Sequence, residues 1–314
     1  MSMRAWVLFV LVAAMSSGAC RGESAAAFSC ATPRDAVATI ETRLAGVPAI
    51  LRVPKTIAKS PIVLWHGFGP PASERALMDA LPLDDVPAVK VYLGLPLFGR
   101  RAEAGGVDAM KRRQTADMAS LVFEPVVAGA AKELPSVLGA LQSMDCMARG
   151  EKIGVFGFSA GGAAVLYAMA EHDAPIGSAV ILNASTGLSA SVAAYEHATG
   201  KPYAWTDNAR ELARRTDAAG RARDIAAGHP PPALLIVQGT GDATLTPGSA
   251  IALHDALKPL YAPRDSQRLQ LKLADGMTHN VTDAGSVGDL RKWVAAWFND
   301  HLDAAPRKAH ARLP

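Results

Sequence analysis

Short apolar runs alternating with helix-like stretches predict an α/β protein, with a mainly parallel central sheet flanked by helices. Two observations carry that expectation. Residues 61–65, 152–158, 176–182 and 233–238 are short runs dominated by apolar residues, as expected of strands buried on both faces. From Ser286 onward, Val287, Leu290, Val294 and Trp297 recur at helical spacing and give a last helix one apolar face.

The elements follow in order. Arg4 precedes an apolar run, 5–15, and the small residues Ser16-Ser17-Gly18-Ala19. This is the pattern of a secretory signal peptide over 1–19, too short for a comfortable membrane span. An N-terminal anchor or a buried helix is the alternative. Ser17-Gly18-Ala19-Cys20 resembles a bacterial lipobox, with Ser17 where Leu is usual. Cleavage there would leave a lipidated Cys20 and a membrane attachment; ordinary cleavage after Ala27 is the other outcome. Residues 20–36 read as an N-terminal tail. In an oxidising compartment Cys30 and Cys146 are expected to pair, against the alternative of two separate buried thiols.

Residues 37–45 and 48–53 read as an initial hairpin. Strands follow at 61–65 and, despite Lys90, at 89–93. Residues 117–142 read as a helical stretch, interrupted or bent at Pro125 and Pro135. A strand at 152–158 runs into a small-residue helix at 161–170. Strands at 176–182 and 233–238 bracket the segment 184–230, which reads as an insertion and a possible lid. Its Tyr195, Tyr203 and Trp205 either line an acyl pocket or form its own core. A helix at 251–257, a strand at 269–273 and the last helix complete a domain over 37–303, with a tail at 304–314.

Composition bounds the function. Of 314 residues, 50% are hydrophobic, enough for a sizeable core. The net charge of +3 comes with no dense Lys/Arg stripe, and no nucleic-acid partner is expected. No metal-ligand spacing, dinucleotide fingerprint or phosphate loop appears, so no metal and no cofactor are expected. Arg100, Arg101, Lys111, Arg112 and Arg113 cluster after the strand at 89–93. They read as a solvated loop, or else as a patch favouring acidic substrates or an anionic membrane surface.

Gly157-Phe158-Ser159-Ala160-Gly161 ends a strand and opens a helix. A serine on such a sharp turn is lifted out at the sheet's carboxyl edge, over a helix N-terminus. Asp242 follows the strand at 233–238 in Gln238-Gly239-Thr240-Gly241-Asp242. His279 follows the last strand in Gly276-Met277-Thr278-His279-Asn280. Asp275 and Asp283 are weaker rivals for the acid, because they flank the histidine. His301 and His310 fall too late to reach the sheet edge, and His254 falls on a helix. His66-Gly67-Phe68-Gly69 directly follows the strand at 61–65.

With these motifs in this order, residues 37–303 resemble the α/β-hydrolase superfamily, in particular serine esterases of the dienelactone-hydrolase type. The resemblance implies Ser159 as nucleophile, His279 as base and Asp242 as the orienting acid. It also implies an oxyanion hole from the backbone N–H groups of Phe68 and Ala160, with His66 structural. The expected activity is hydrolysis of a small-molecule carboxylic ester by an exported enzyme. A prolyl-oligopeptidase-type serine peptidase and an acyltransferase are the rivals among enzymes. No segment reads as an added propeller, which favours the ester reading. A non-catalytic binding protein on this fold is the rival of another class.

Overall fold

The computed structural model describes residues 28–305. The expected leader at 1–19, Cys20 and the tail beyond residue 305 lie outside the described residues. The chain opens with an antiparallel pair, β1 (Ala38–Leu44) and β2 (Val47–Val53). There follow β3 (Ile62–Trp65), helix α1 (Glu74–Ala80), β4 (Lys90–Leu93) and α2 (Gly106–Met118). A π-helical stretch (Ala119–Ala128) leads into α3 (Gly129–Ser143). Next come β5 (Ile153–Phe158), α4 (Ala160–Glu171) and β6 (Ile176–Leu182). Helices α5 (Leu188–Thr199), α6 (Asp207–Thr216) and α7 (Ala222–Ile225) lead to β7 (Ala233–Gly239). Helix α8 (Pro247–Leu257), β8 (Leu269–Ala274) and α9 (Ala284–His301) close the fold.

The strands form one sheet in the order β1-β2-β4-β3-β5-β6-β7-β8. All pairs from β4 to β8 are parallel, whereas β1/β2 and β2/β4 are antiparallel. Alternate residues of the central strands serve two cores. Val63, Val91, Val155, Ile181 and Ile236 face α3, α4 and α8. Leu64, Tyr92, Phe156, Val180 and Leu235 face α1 and α9. Helices on both faces are why these strands read as unbroken apolar runs.

The structure departs from the sequence expectation at two places. Helix α1, capped by the Ser73 hydroxyl accepting from Ala76 N–H, lies where no element is expected. The basic segment is not a loop throughout. It holds α2, and three of its five cations are in ion pairs: Arg100 with Glu74, Arg101 with Glu133, and Arg113 with Glu103. Helix α2 buries only Ala109 and Met118, so it leaves no apolar stripe to read. At Pro125, where an interruption or bend is expected, the α-helical stretch gives way to π-helical turns. Proline has no N–H to give the helix, and nearby the Leu121 carbonyl accepts from the Arg113 guanidinium at 3.2 Å.

Residues 184–230 hold α5 to α7. Tyr195, Tyr203 and Trp205 pack against the core on the α3/α4 face. Tyr203 donates its hydroxyl to Asp117 at 2.7 Å, on the same carboxylate oxygen that accepts from Ala119 and Ser120 N–H. Cys30 and Cys146 form a disulfide, with Cα atoms 4.9 Å apart. Among the described residues, no helix is long and apolar enough to cross a membrane.

Candidate active site

Ser159 stands between β5 and α4 with φ 54° and ψ −115°. A non-glycine residue in that left-handed region is held there by its surroundings. Its N–H donates to Leu182 O at 3.0 Å, tying the turn to the end of β6. The close approach explains the flanking glycines. A Cβ on Gly161 would stand 2.5 Å from His66 O, and one on Gly157 would stand 2.2 Å from Gly161 O. Neither site has room for a side chain.

The structure brings Ser159, His279 and Asp242 together from three strand ends. Ser159 Oγ lies 3.1 Å from His279 Nε2, and His279 Nδ1 lies 2.8 Å from Asp242 Oδ2. Oδ1 of the buried Asp242 accepts from the N–H groups of Thr244 and Leu245, both at 2.8 Å. Gln238 Nε2 donates to Oδ2 at 3.2 Å. A carboxylate fixed by these donors is an acceptor for Nδ1–H, which leaves Nε2 free to accept from the serine hydroxyl. Neither Asp275 nor Asp283 takes this place. Asp275 accepts from Thr240 Oγ1, and Asp283 caps α9 by accepting from Ser286 N–H.

The loop after β3 runs against the serine. A Cβ on Gly67 would lie 2.9 Å from the Cβ of Ser159. His66 is fully buried; its Nδ1–H donates to Gly67 O at 2.8 Å and its Nε2 accepts from Leu95 N–H at 3.2 Å. Burial pushes its imidazole below the ordinary histidine value, so it is held neutral as a strut for the loop. The Phe68 ring stacks on Phe98 with centroids 4.6 Å apart. Ala160 opens α4, where the first backbone N–H groups have no partner within the helix. The Phe68 and Ala160 amides thus belong to two backbone segments that meet at Ser159.

Two contributors escape the sequence reading. Gln238 steadies the acid through a side chain that otherwise reads as part of a strand. Asn183, the residue after β6, bonds to both the acid strand and the histidine loop. The one trace of it in the sequence is a polar residue closing the apolar run at 176–182.

A sheet of this order, with a serine on the β5–α4 turn and an imidazole and a carboxylate behind it, defines an α/β-hydrolase of the serine hydrolase class. Residues 130–305 match the prolyl oligopeptidase family, and the chain belongs to that family. Among solved structures it is similar to TT1662 from Thermus thermophilus, at 17% identity and a TM-score of 0.59, covering 84% of this chain and 99% of that one. It is also similar to a dienelactone hydrolase from Anabaena variabilis, at 16% identity and a TM-score of 0.52, covering 86% and 100%. An acylaminoacyl peptidase from Pyrococcus horikoshii is similar at 16% identity and a TM-score of 0.58, but this chain (86% covered) spans only 42% of it. At these identities the likeness is one of fold. No curated protein matches the chain by sequence.

Proposed function

We propose that the protein hydrolyses carboxylic esters of small molecules through an acyl-enzyme on Ser159. The continuous path from Ser159 Oγ through His279 to Asp242 carries this reading. His279 Nε2 takes the hydroxyl proton as Oγ attacks the ester carbonyl. The N–H groups of Phe68 and Ala160 bind the oxyanion. His279 then gives its proton to the departing alcohol, and water, activated by the same imidazole, releases the acid. Asp242 holds the tautomer that makes each proton transfer possible. The family match favours a second reading, cleavage of peptide amides by the same steps. Export is part of the proposal, supported by the pattern at 1–19 and by the Cys30–Cys146 bond; lipidation of Cys20 belongs with it as one form of export.

The test is a fluorophosphonate probe with mass mapping, followed by ester and peptide-anilide panels. Labelling on Ser159 that Ser159→Ala abolishes is the expected result. Asp242→Asn should keep the fold and lower kcat by about 10⁴-fold, through the wrong imidazole tautomer. Ester turnover surviving in Ser159→Ala would overturn the reading. Turnover of anilides but not esters would select the peptidase.

A further inference from the structure

Asn183 is fully buried and has φ 42°, in the left-handed region. Its side chain hydrogen-bonds to segments that carry the rest of the site. Its backbone N–H donates to Val237 O at 2.9 Å, extending the β6–β7 ladder by one residue. Its Oδ1 accepts from Gly239 N–H at 2.8 Å, three residues before Asp242. Its Nδ2 donates to Thr278 O at 2.9 Å and to His279 O at 3.0 Å. One amide thus spans three strand ends: its own, that of the acid, and that of the histidine.

We propose that Asn183 is a positioning residue that sets the backbone of His279 against Asp242 and Ser159 through the two hydrogens of its amide. The proposal rests on the triad reading above. The carbonyls at 278 and 279 lie in a turn after β8, outside any helix or strand ladder. Nδ2 is a buried anchor for that turn. The imidazole must satisfy partners at 2.8 and 3.1 Å on opposite sides of the ring, so a shift of its Cα spoils at least one of them. The residue type follows from the same facts. Gly, Asn and Asp are the residues that enter the left-handed region most readily. Glycine brings no donor. Aspartate has the same shape but, when ionised, only acceptors, and it would set an oxygen against two carbonyls.

Two variants test this, Asn183→Gly and Asn183→Asp, alongside the native chain. Each is read by ester kinetics, by fluorophosphonate labelling rate, by thermal unfolding, and by the downfield proton resonance of His279 Nδ1–H. The resonance reports the histidine–carboxylate bond without any substrate. In both variants kcat should fall on the order of 10²-fold with KM little changed, as for a misplacement of about 1 Å. The resonance should broaden or vanish, and the acid limb of the kcat/KM profile should move. Native kcat and a native resonance in Asn183→Gly would show that only the backbone conformation matters, and would overturn the proposal. Lost activity with an unchanged resonance and acid limb would overturn it too. If neither variant folds, Asn183 serves the stability of the sheet and the positioning role is refuted. If native protein does not label at Ser159, the hydrolase reading falls, while the resonance still decides the role of Asn183.

Discussion

Gly161→Ala probes how tightly the turn at Ser159 is pressed onto the loop after β3. The new methyl would stand 2.5 Å from His66 O and 2.6 Å from Trp65 O, whereas real Cβ atoms keep at least 3.0 Å from such neighbours. Both sides are backbone, so the turn or the loop must give by about 0.5 Å in a close-packed interior. Overpacking of this kind costs about 1–3 kcal/mol. The carbonyls that must move, of Trp65 and His66, immediately precede His66 and Gly67, so the displacement reaches the loop that carries the proposed oxyanion donor, Phe68. A shift of that size should lower kcat by about ten- to a hundredfold, with a smaller change in KM. Ester kinetics paired with thermal unfolding measure both effects. Gly139→Ala is the matched control. That glycine lies inside α3 with nothing within 4 Å of its added Cβ. There the alanine should stabilise by about 0.5–1 kcal/mol and leave kcat alone. Native activity and stability in Gly161→Ala would refute the close-approach reasoning.

Lys90 is buried in β4 with its ammonium donating to Val86 O, and burial lowers its pKa from 10.5 to about 8. The native chain therefore sheds this proton first, the unfolded chain binds more protons between pH 8 and 10.5, and stability rises with pH across that window. The gain from this residue is roughly 3 kcal/mol. Urea unfolding at several pH values should show the rise in the native protein and not in Lys90→Met; equal slopes would contradict it. Reducing the Cys30–Cys146 bond opens a loop with a sequence separation of 116 residues. The chain-entropy model gives a loss of about 5 kcal/mol. A urea midpoint that does not move under reductant would show that the bond adds nothing.

The sheet and the three site side chains were readable because each leaves a local mark. Strands covered on both faces must be apolar throughout, and a serine lifted from a strand-to-helix turn needs glycines beside it. Asp242 and His279 each follow directly on a readable strand. What was not readable depends on partners distant in sequence. Asn183 looks like any polar strand end until the carbonyls of Thr278 and His279, 95 and 96 residues on, are placed against it. Helix α2 lacks an apolar face, and Arg113 within it is occupied with Glu103 and Leu121 O. Glu74 reads as a surface residue but is buried on Arg100, from the turn after β4. Their positions are set by the assembled fold, not by local pattern.

The disulfide divides the molecule in a way that bears on how the site is put together. The covalent ring from Cys30 to Cys146 contains His66 and Phe68, whereas Ser159, Asp242 and His279 all lie beyond it. The two proposed oxyanion donors thus lie on separate stretches of chain, Phe68 inside the ring and Ala160 beyond it with the three site side chains. They are brought into register by the parallel pairing of β3 with β5, from Ile62 opposite Gly154 to Trp65 opposite Gly157. A chain cut between Met147 and Lys152 would leave Ser159, Ala160, Asp242 and His279 on one fragment and Phe68 on the other. Their reassembly would hang on those four residue pairs and the helices packed over them.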